Sequence, residues 1–173
     1  MKDVELRLIS ELLKNSKRSD RELAKILGTS QPTVTRARAK LEKEGYIKEY
    51  TIIPDFRKLG FKIMAITFAL SRPLNKEEAE KAIKVLAESV KKKHFEFIML
   101  ERGHGLGFDG VVVSLHEDYS SYLNVLEWIN QFDFLEVEKS GSFLINLDGK
   151  VRYRPLTLST LAAQLLSKRE NKP

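Results

Sequence analysis

Apolar positions in the first third of the chain keep a helical period. Val4, Leu8, Ile9, Leu12 and Leu13 recur at steps of three and four from about Asp3, which predicts one buried stripe on a first helix. Ser19 and Glu22 have the spacing of a capping box, so a second helix starts there with Leu23, Ala24, Ile26 and Leu27 as its apolar side. Gly28 suits the left-handed turn that ends it. Ser30 is then an N-cap, and Pro32 falls in the first turn, where a missing N–H costs nothing. Val34, Ala37 and Leu41 form the next stripe, and the helix runs out at Gly45. Two short helices cannot enclose a core between them, so the first helix should back the pair. Tyr46, Ile47, Tyr50, Ile52 and Ile53 are β-formers closed by Pro54 and Asp55, which predicts the strands of a small wing.

From Phe61 the period changes. Residues 62–70 read as a strand and 75–90 as a helix capped by Asn75 and Glu78; 95–101 and 108–116 read as strands around a glycine-rich stretch. Residues 118–132 make a second helix, and 135–139 begin another strand. The order β-α-β-β-α-β is that of a ferredoxin-like unit, in which both helices cover one face of an antiparallel sheet and the other face stays open. Phe143, Ile145 and Leu147 then alternate, Asp148 and Gly149 make a hairpin turn, and Val151 and Tyr153 alternate again. After Pro155, the residues Leu158, Leu161, Leu165 and Leu166 return to helical spacing. The fold class expected is therefore α+β: a winged helix-turn-helix over 1–60, its motif spanning about 19–44, and a ferredoxin-like domain over 61–173 with an added hairpin and C-terminal helix.

Charge sharpens this division. Residues 1–60 hold 14 Lys+Arg against 9 Asp+Glu, whereas the remainder holds 16 against 15, so nearly all of the net +6 lies with the helix-turn-helix. A polyanionic partner for the first part, double-stranded DNA, is the simplest physical consequence. On the third helix the polar side carries Gln31, Thr33, Thr35 and Arg36, with no carboxylate between Ser30 and Leu41. These four side chains are the candidates for base edges, and Ser30, Arg38, Lys40 and the wing residue Lys48 complete the expected DNA-binding set. Any amphipathic helix has a solvated outer face, but the missing carboxylates favour the sharper reading.

The stretch SDRELAKILGTSQPTVTRARAKLEKEGYI resembles the DNA-binding half of the leucine-responsive regulatory protein/AsnC (Lrp/AsnC) family of bacterial and archaeal transcription regulators. Leu23, Ala24, Gly28, Ser30, Thr33, Val34, Arg36, Leu41, Gly45 and Ile47 match its pattern, while Ala37 or Arg38 stands where many members carry a bulky aliphatic residue. The resemblance implies a sequence-specific regulator that works as a dimer or higher oligomer through the second domain and responds to a small effector such as an amino acid.

Candidate chemistry in the second half is limited. In GHGLGFDG, Gly105, Gly107 and Asp109 could cradle an amino-acid-like effector, backbone amides meeting its carboxylate and Asp109 its amine; the glycines could equally serve a plain β-turn. His94, His104 and His116 lack metal spacing, and no metal, cofactor or catalytic group is assigned. The siroheme decarboxylases, enzymes with the same two-part layout and histidines near this hairpin, supply the alternative function, and His104 is the residue that would carry it. The absence of cysteine, of an apolar run of membrane-spanning length and of a signal-like start points to a cytoplasmic protein without disulfides.

Overall fold

The computed structural model describes residues 2–92, 96–135, 139–150 and 154–170, with side chains to Ser167. It contains α1 (Asp3–Lys14), α2 (Asp20–Leu27), α3 (Gln31–Lys43), a 3-10 turn (Phe56–Leu59), β1 (Ile63–Ala69), α4 (Lys76–Lys92), β2 (Phe97–Gly105), β3 (Phe108–His116), α5 (Tyr119–Ile129), β4 (Gly141–Asn146) and α6 (Ser159–Glu170). The chain forms two compact units. One comprises α1–α3, the segment to Pro54 and α6; the other runs from Asp55 through β4.

In the first unit the stripes read from the sequence converge. Leu8 and Leu12 of α1 meet Leu23, Ala24 and Leu27 of α2 and Val34, Ala37 and Leu41 of α3. Ile47 folds back onto this core, because the backbone N–H groups of Tyr46 and Ile47 both donate to the carbonyl of Leu41 after a turn at Gly45, whose φ is +74°. The wing segment then departs from expectation. Residues 46–54 form no regular element and pair with no strand among the described residues, and Tyr46, Tyr50, Ile52 and Ile53 remain exposed. β-Forming side chains favour extended backbone; a ladder also needs a second strand, and none of the described residues of this unit supplies one.

The last helix belongs to this first unit, not to the segment 61–173 with which the sequence grouped it. Ala162 is fully buried, and its carbonyl accepts a 2.9 Å hydrogen bond from the buried Ser10 hydroxyl of α1. Small side chains at this crossing allow the two backbones to approach and give the buried serine a partner. Leu165 and Leu166 are half-buried, whereas Leu158 and Leu161 are exposed.

The second unit is an antiparallel sheet in the order β2-β3-β1-β4, the ferredoxin-like arrangement expected from the element order. Its fourth strand is not the one expected. Leu135 makes only an isolated bridge with Ser71, and 136–138 lie outside the described residues, whereas Gly141–Asn146, read as the first arm of an added hairpin, pairs with β1 along its length. Both segments carry β-forming apolar residues, so local pattern could not choose between them; Ser142 meets Thr67 across the pair at 2.9 Å, hydroxyl to hydroxyl. Asp148 and Gly149 do form a turn, with Gly149 N–H donating to the Asn146 carbonyl, and the second arm at Val151, Arg152 and Tyr153 lies outside the described residues. So do His94 and Phe95.

Helices α4 and α5 cover one face of the sheet. Trp128 is the centre of this layer: its ring lies between Phe97 and Phe132, and its indole N–H donates to Ser89 of α4 at 3.0 Å. On the same side, the buried His116 ring bonds Ser114 Oγ through Nε2 at 2.8 Å and meets the edge of Tyr122. Burial pushes the His116 pKa below its ordinary value, although Glu96 and Asp118 pull the other way. Neutral His116 therefore contributes stability that is complete above about pH 6.5 and is lost as pH falls through the lower folded value. The expected outcome is a denaturant midpoint for this unit that falls between about pH 8 and about pH 5, with a smaller fall in His116→Gln. An equal fall in the variant would assign the effect to other groups.

Among the described residues of this unit, no helix covers the other sheet face. Register places Met99, Val113, Ile66 and Phe143 in one row across all four strands, and Met99 and Phe143 are exposed by 40% and 64%. No helix among the described residues is long and apolar enough to cross a membrane.

Candidate nucleic-acid interface

Capping sets the geometry of the helix pair. Ser19 N–H donates to Glu22 Oε2 at 2.8 Å, and Glu22 N–H donates back to Ser19 Oγ at 3.3 Å, which fixes the start of α2. Gly28, at φ +66°, ends it in the left-handed conformation, and Thr29 N–H closes onto the Ala24 carbonyl. Ser30 caps α3 by accepting from Thr33 N–H at 3.4 Å, with Pro32 in the first turn. Val34 and Leu41 are fully buried, so the opposite side of α3 must face outward.

On that side the structure divides the expected DNA-binding set in two. Gln31 and Arg36 are exposed, and Arg36 takes no intramolecular partner among the described residues. Thr33 is half-buried, its hydroxyl 2.8 Å from that of Ser30. Lys48 is exposed on the segment that follows α3. Thr35, Arg38 and Lys40, by contrast, are committed within the protein. Thr35 Oγ1 lies 2.7 Å from Asp20 Oδ2 and 3.1 Å from the Gln31 carbonyl. Arg38 donates from Nε to Asp20 Oδ1 at 2.7 Å, from Nη1 to Tyr50 OH at 3.1 Å and from Nη2 to the Arg18 carbonyl at 3.4 Å. Lys40 Nζ donates to Glu5 Oε1 at 2.8 Å, and this bond is the first cause holding the Glu5 carboxyl below its ordinary range.

Those partners were not singled out in the sequence. Asp20 lies in the first turn of α2 and Glu5 in the first turn of α1, where an acidic residue is already accounted for by the helix dipole. Nothing in helical periodicity says that each also faces a cation on α3.

In the second unit the glycine stretch is a hairpin turn. Gly105 pairs with Phe108, and the two residues between them, Leu106 and Gly107, have φ of +54° and +84°, the left-handed pair of a tight two-residue connection. Asp109 is already engaged within the protein: Oδ1 accepts from Ser71 N–H at 2.8 Å, Oδ2 from the Ser71 hydroxyl, and Arg102 stands 3.7 Å away. Gly105 and Gly107 thus serve the strand connection, and Asp109 ties it to Ser71. His104 is exposed on β2, and among the described residues no three His, Cys, Asp or Glu side chains are grouped to hold a metal ion.

Comparison with known proteins agrees with this geometry. The family model described as winged helix-turn-helix DNA-binding matches residues 1–48. An uncharacterized HTH-type transcriptional regulator of Pyrococcus furiosus is 34% identical over 142 residues, covering 80% of this chain and 90% of that protein. The HTH-type transcriptional regulator LrpC of Bacillus subtilis is 36% identical over 83 residues, 48% of this chain and 58% of LrpC. Among solved structures, an AsnC family regulator from Agrobacterium tumefaciens superposes with a TM-score of 0.71 at 18% identity, covering 93% of this chain and 99% of that one. A transcriptional regulator of Neisseria meningitidis in complex with L-Met superposes at 0.72 with 16% identity, covering 93% and 99%. A helix pair whose second member carries no carboxylate from Ser30 to Leu41, joined in one chain to a ferredoxin-like sheet and matched over 80% of its length by the Pyrococcus furiosus regulator, makes the chain a DNA-binding transcription regulator of the Lrp/AsnC family.

Proposed function

We propose that the chain reads a two-fold symmetric operator as a dimer, with Gln31, Thr33 and Arg36 presented to base edges and Ser30 and Lys48 to phosphates. The observation that carries this is the run of α3 without a carboxylate up to Leu41, on which Arg36 is exposed and unpaired. A guanidinium so placed can meet the two acceptors of a guanine in the major groove. The phosphate contacts supply affinity that falls steeply with salt. Dimerisation is supported by the apolar row on the open sheet face, and a two-fold axis sets the half-sites roughly one helical turn, or a multiple, apart.

Selection of bound duplexes from a random pool should return one motif with two-fold symmetry. Arg36→Ala is then expected to lose about 1–3 kcal/mol of preference for that motif over random DNA, read as the ratio of the two dissociation constants. Equal weakening on both duplexes would place Arg36 on a phosphate. Modulation by an effector rests on the L-Met complex of the Neisseria relative. A ligand of this kind acts only by favouring one assembly over another. Titrating amino acids against operator affinity tests it, and a flat response across all of them would leave the sheet domain with dimerisation alone.

A further inference from the structure

We infer that Asp20, Arg38 and Tyr50 form a positioning network that fixes the angle at which α3 meets DNA, so that Arg38 acts through this network and does not touch DNA itself. The inference rests on the reading of α3 given above. Asp20, the first residue of α2, holds two side chains one turn apart on α3: Thr35 on one oxygen and Arg38 on the other, each at 2.7 Å. Arg38 then reaches beyond α3. Its guanidinium lies 5.4 Å from the centre of the Tyr50 ring and donates to the Tyr50 hydroxyl, which in turn donates to Glu42 Oε1 at 2.6 Å. Asp20 and Arg38 are largely withdrawn from solvent, at 20% and 17% side-chain exposure, so this pair is poorly screened.

The hydrophobic contact between α2 and α3 cannot do this alone. Apolar burial is non-directional, so the packed contact through Ala37 does not by itself set one rotation of α3 on α2. A planar guanidinium with Nε on one carboxylate oxygen and Nη1 on a tyrosine hydroxyl has one orientation, and it links α2, α3 and the segment after α3. Base reading needs that rigidity, because a bidentate contact is lost with a small rotation of the helix.

The test uses the full chain, the selected duplex and a random duplex, with dissociation constants measured over a potassium chloride series. Simple electrostatics says that Asp20→Asn, which removes a negative charge near phosphates, should tighten binding. The network says the opposite: about a ten-fold loss on the selected duplex, the cost of a charge-assisted bond. Arg38→Gln should lose a similar factor while keeping the wild-type dependence of log Kd on log salt, and the Asp20→Asn/Arg38→Gln double variant should be no weaker than the weaker single. Tyr50→Phe, which keeps the ring and drops the hydroxyl, guards against a folding defect and should show a smaller loss in the same direction.

Tighter binding by Asp20→Asn would overturn the inference. So would a salt slope reduced by about 0.9 in Arg38→Gln, the mark of a lost phosphate contact. The underlying reading fails separately, if the wild type prefers no sequence and Arg36→Gln changes nothing. The network is then judged on random DNA, where weakening by Asp20→Asn supports it and tightening refutes it.

Discussion

Phe143→Lys is expected to turn the protein into a monomer and to lower its affinity for a symmetric operator by about two orders of magnitude or more. Phe143 is 64% exposed and ends the row Met99, Val113, Ile66, Phe143 on the sheet face that no described helix of this unit covers. An ammonium there costs the isolated unit little, since the position is already wet, but the proposed two-fold contact across this face would bury it. Linking two half-site readers supplies an avidity of roughly 10²–10⁴ over one, and a monomer forfeits it. Sedimentation should give half the wild-type mass with unchanged circular dichroism. A variant that sediments like the wild type would move the dimer contact off this face.

The second large effect is expected from Ala162→Asp. The methyl of Ala162 is fully buried beside α1, and its carbonyl serves the buried Ser10 hydroxyl. A carboxylate at this fully buried position gives up its water, and a buried charge without a matched partner costs about 3 kcal/mol or more, so α6 should leave α1 instead. Ser10 would then lose its acceptor, at a further cost of about 1–3 kcal/mol if it stayed buried. Denaturant unfolding should show the first unit losing stability by several kcal/mol, and DNA affinity should fall with it, although no DNA-facing residue has changed. A midpoint equal to the wild type would show that α6 adds nothing to this unit.

What could be read from the sequence divides along a physical line. Leu8, Leu23, Val34, Ala37 and Leu41 were legible because burial on a helix repeats within one element, and Ser19, Glu22, Gly28 and Ser30 because capping chemistry spans only three or four residues. The sheet order followed from the sequence of elements. What escaped was pairing between elements distant in sequence. Two segments of β-forming residues competed for the fourth strand, and only the register against Ile63–Phe68 separates them. On α3, Arg38 and Lys40 looked like Arg36. The difference lies in Asp20 and Glu5, which are 18 and 35 residues away and belong to other helices. The same holds for Asp109, read either as a ligand group or as part of a plain β-turn, whose carboxylate accepts from Ser71, 38 residues earlier.

Because α6 completes the unit that holds α3, this DNA-reading half is not finished when its own helices leave the ribosome. Ala162 is synthesised roughly 120 residues after Leu41, a delay on the order of ten seconds at ordinary elongation rates. During that interval the sheet unit is made and can begin to fold, while α1 still exposes the side that Ala162 will cover. A chain that stops before α6 therefore carries the whole recognition motif yet leaves the Ser10 side of α1 uncovered.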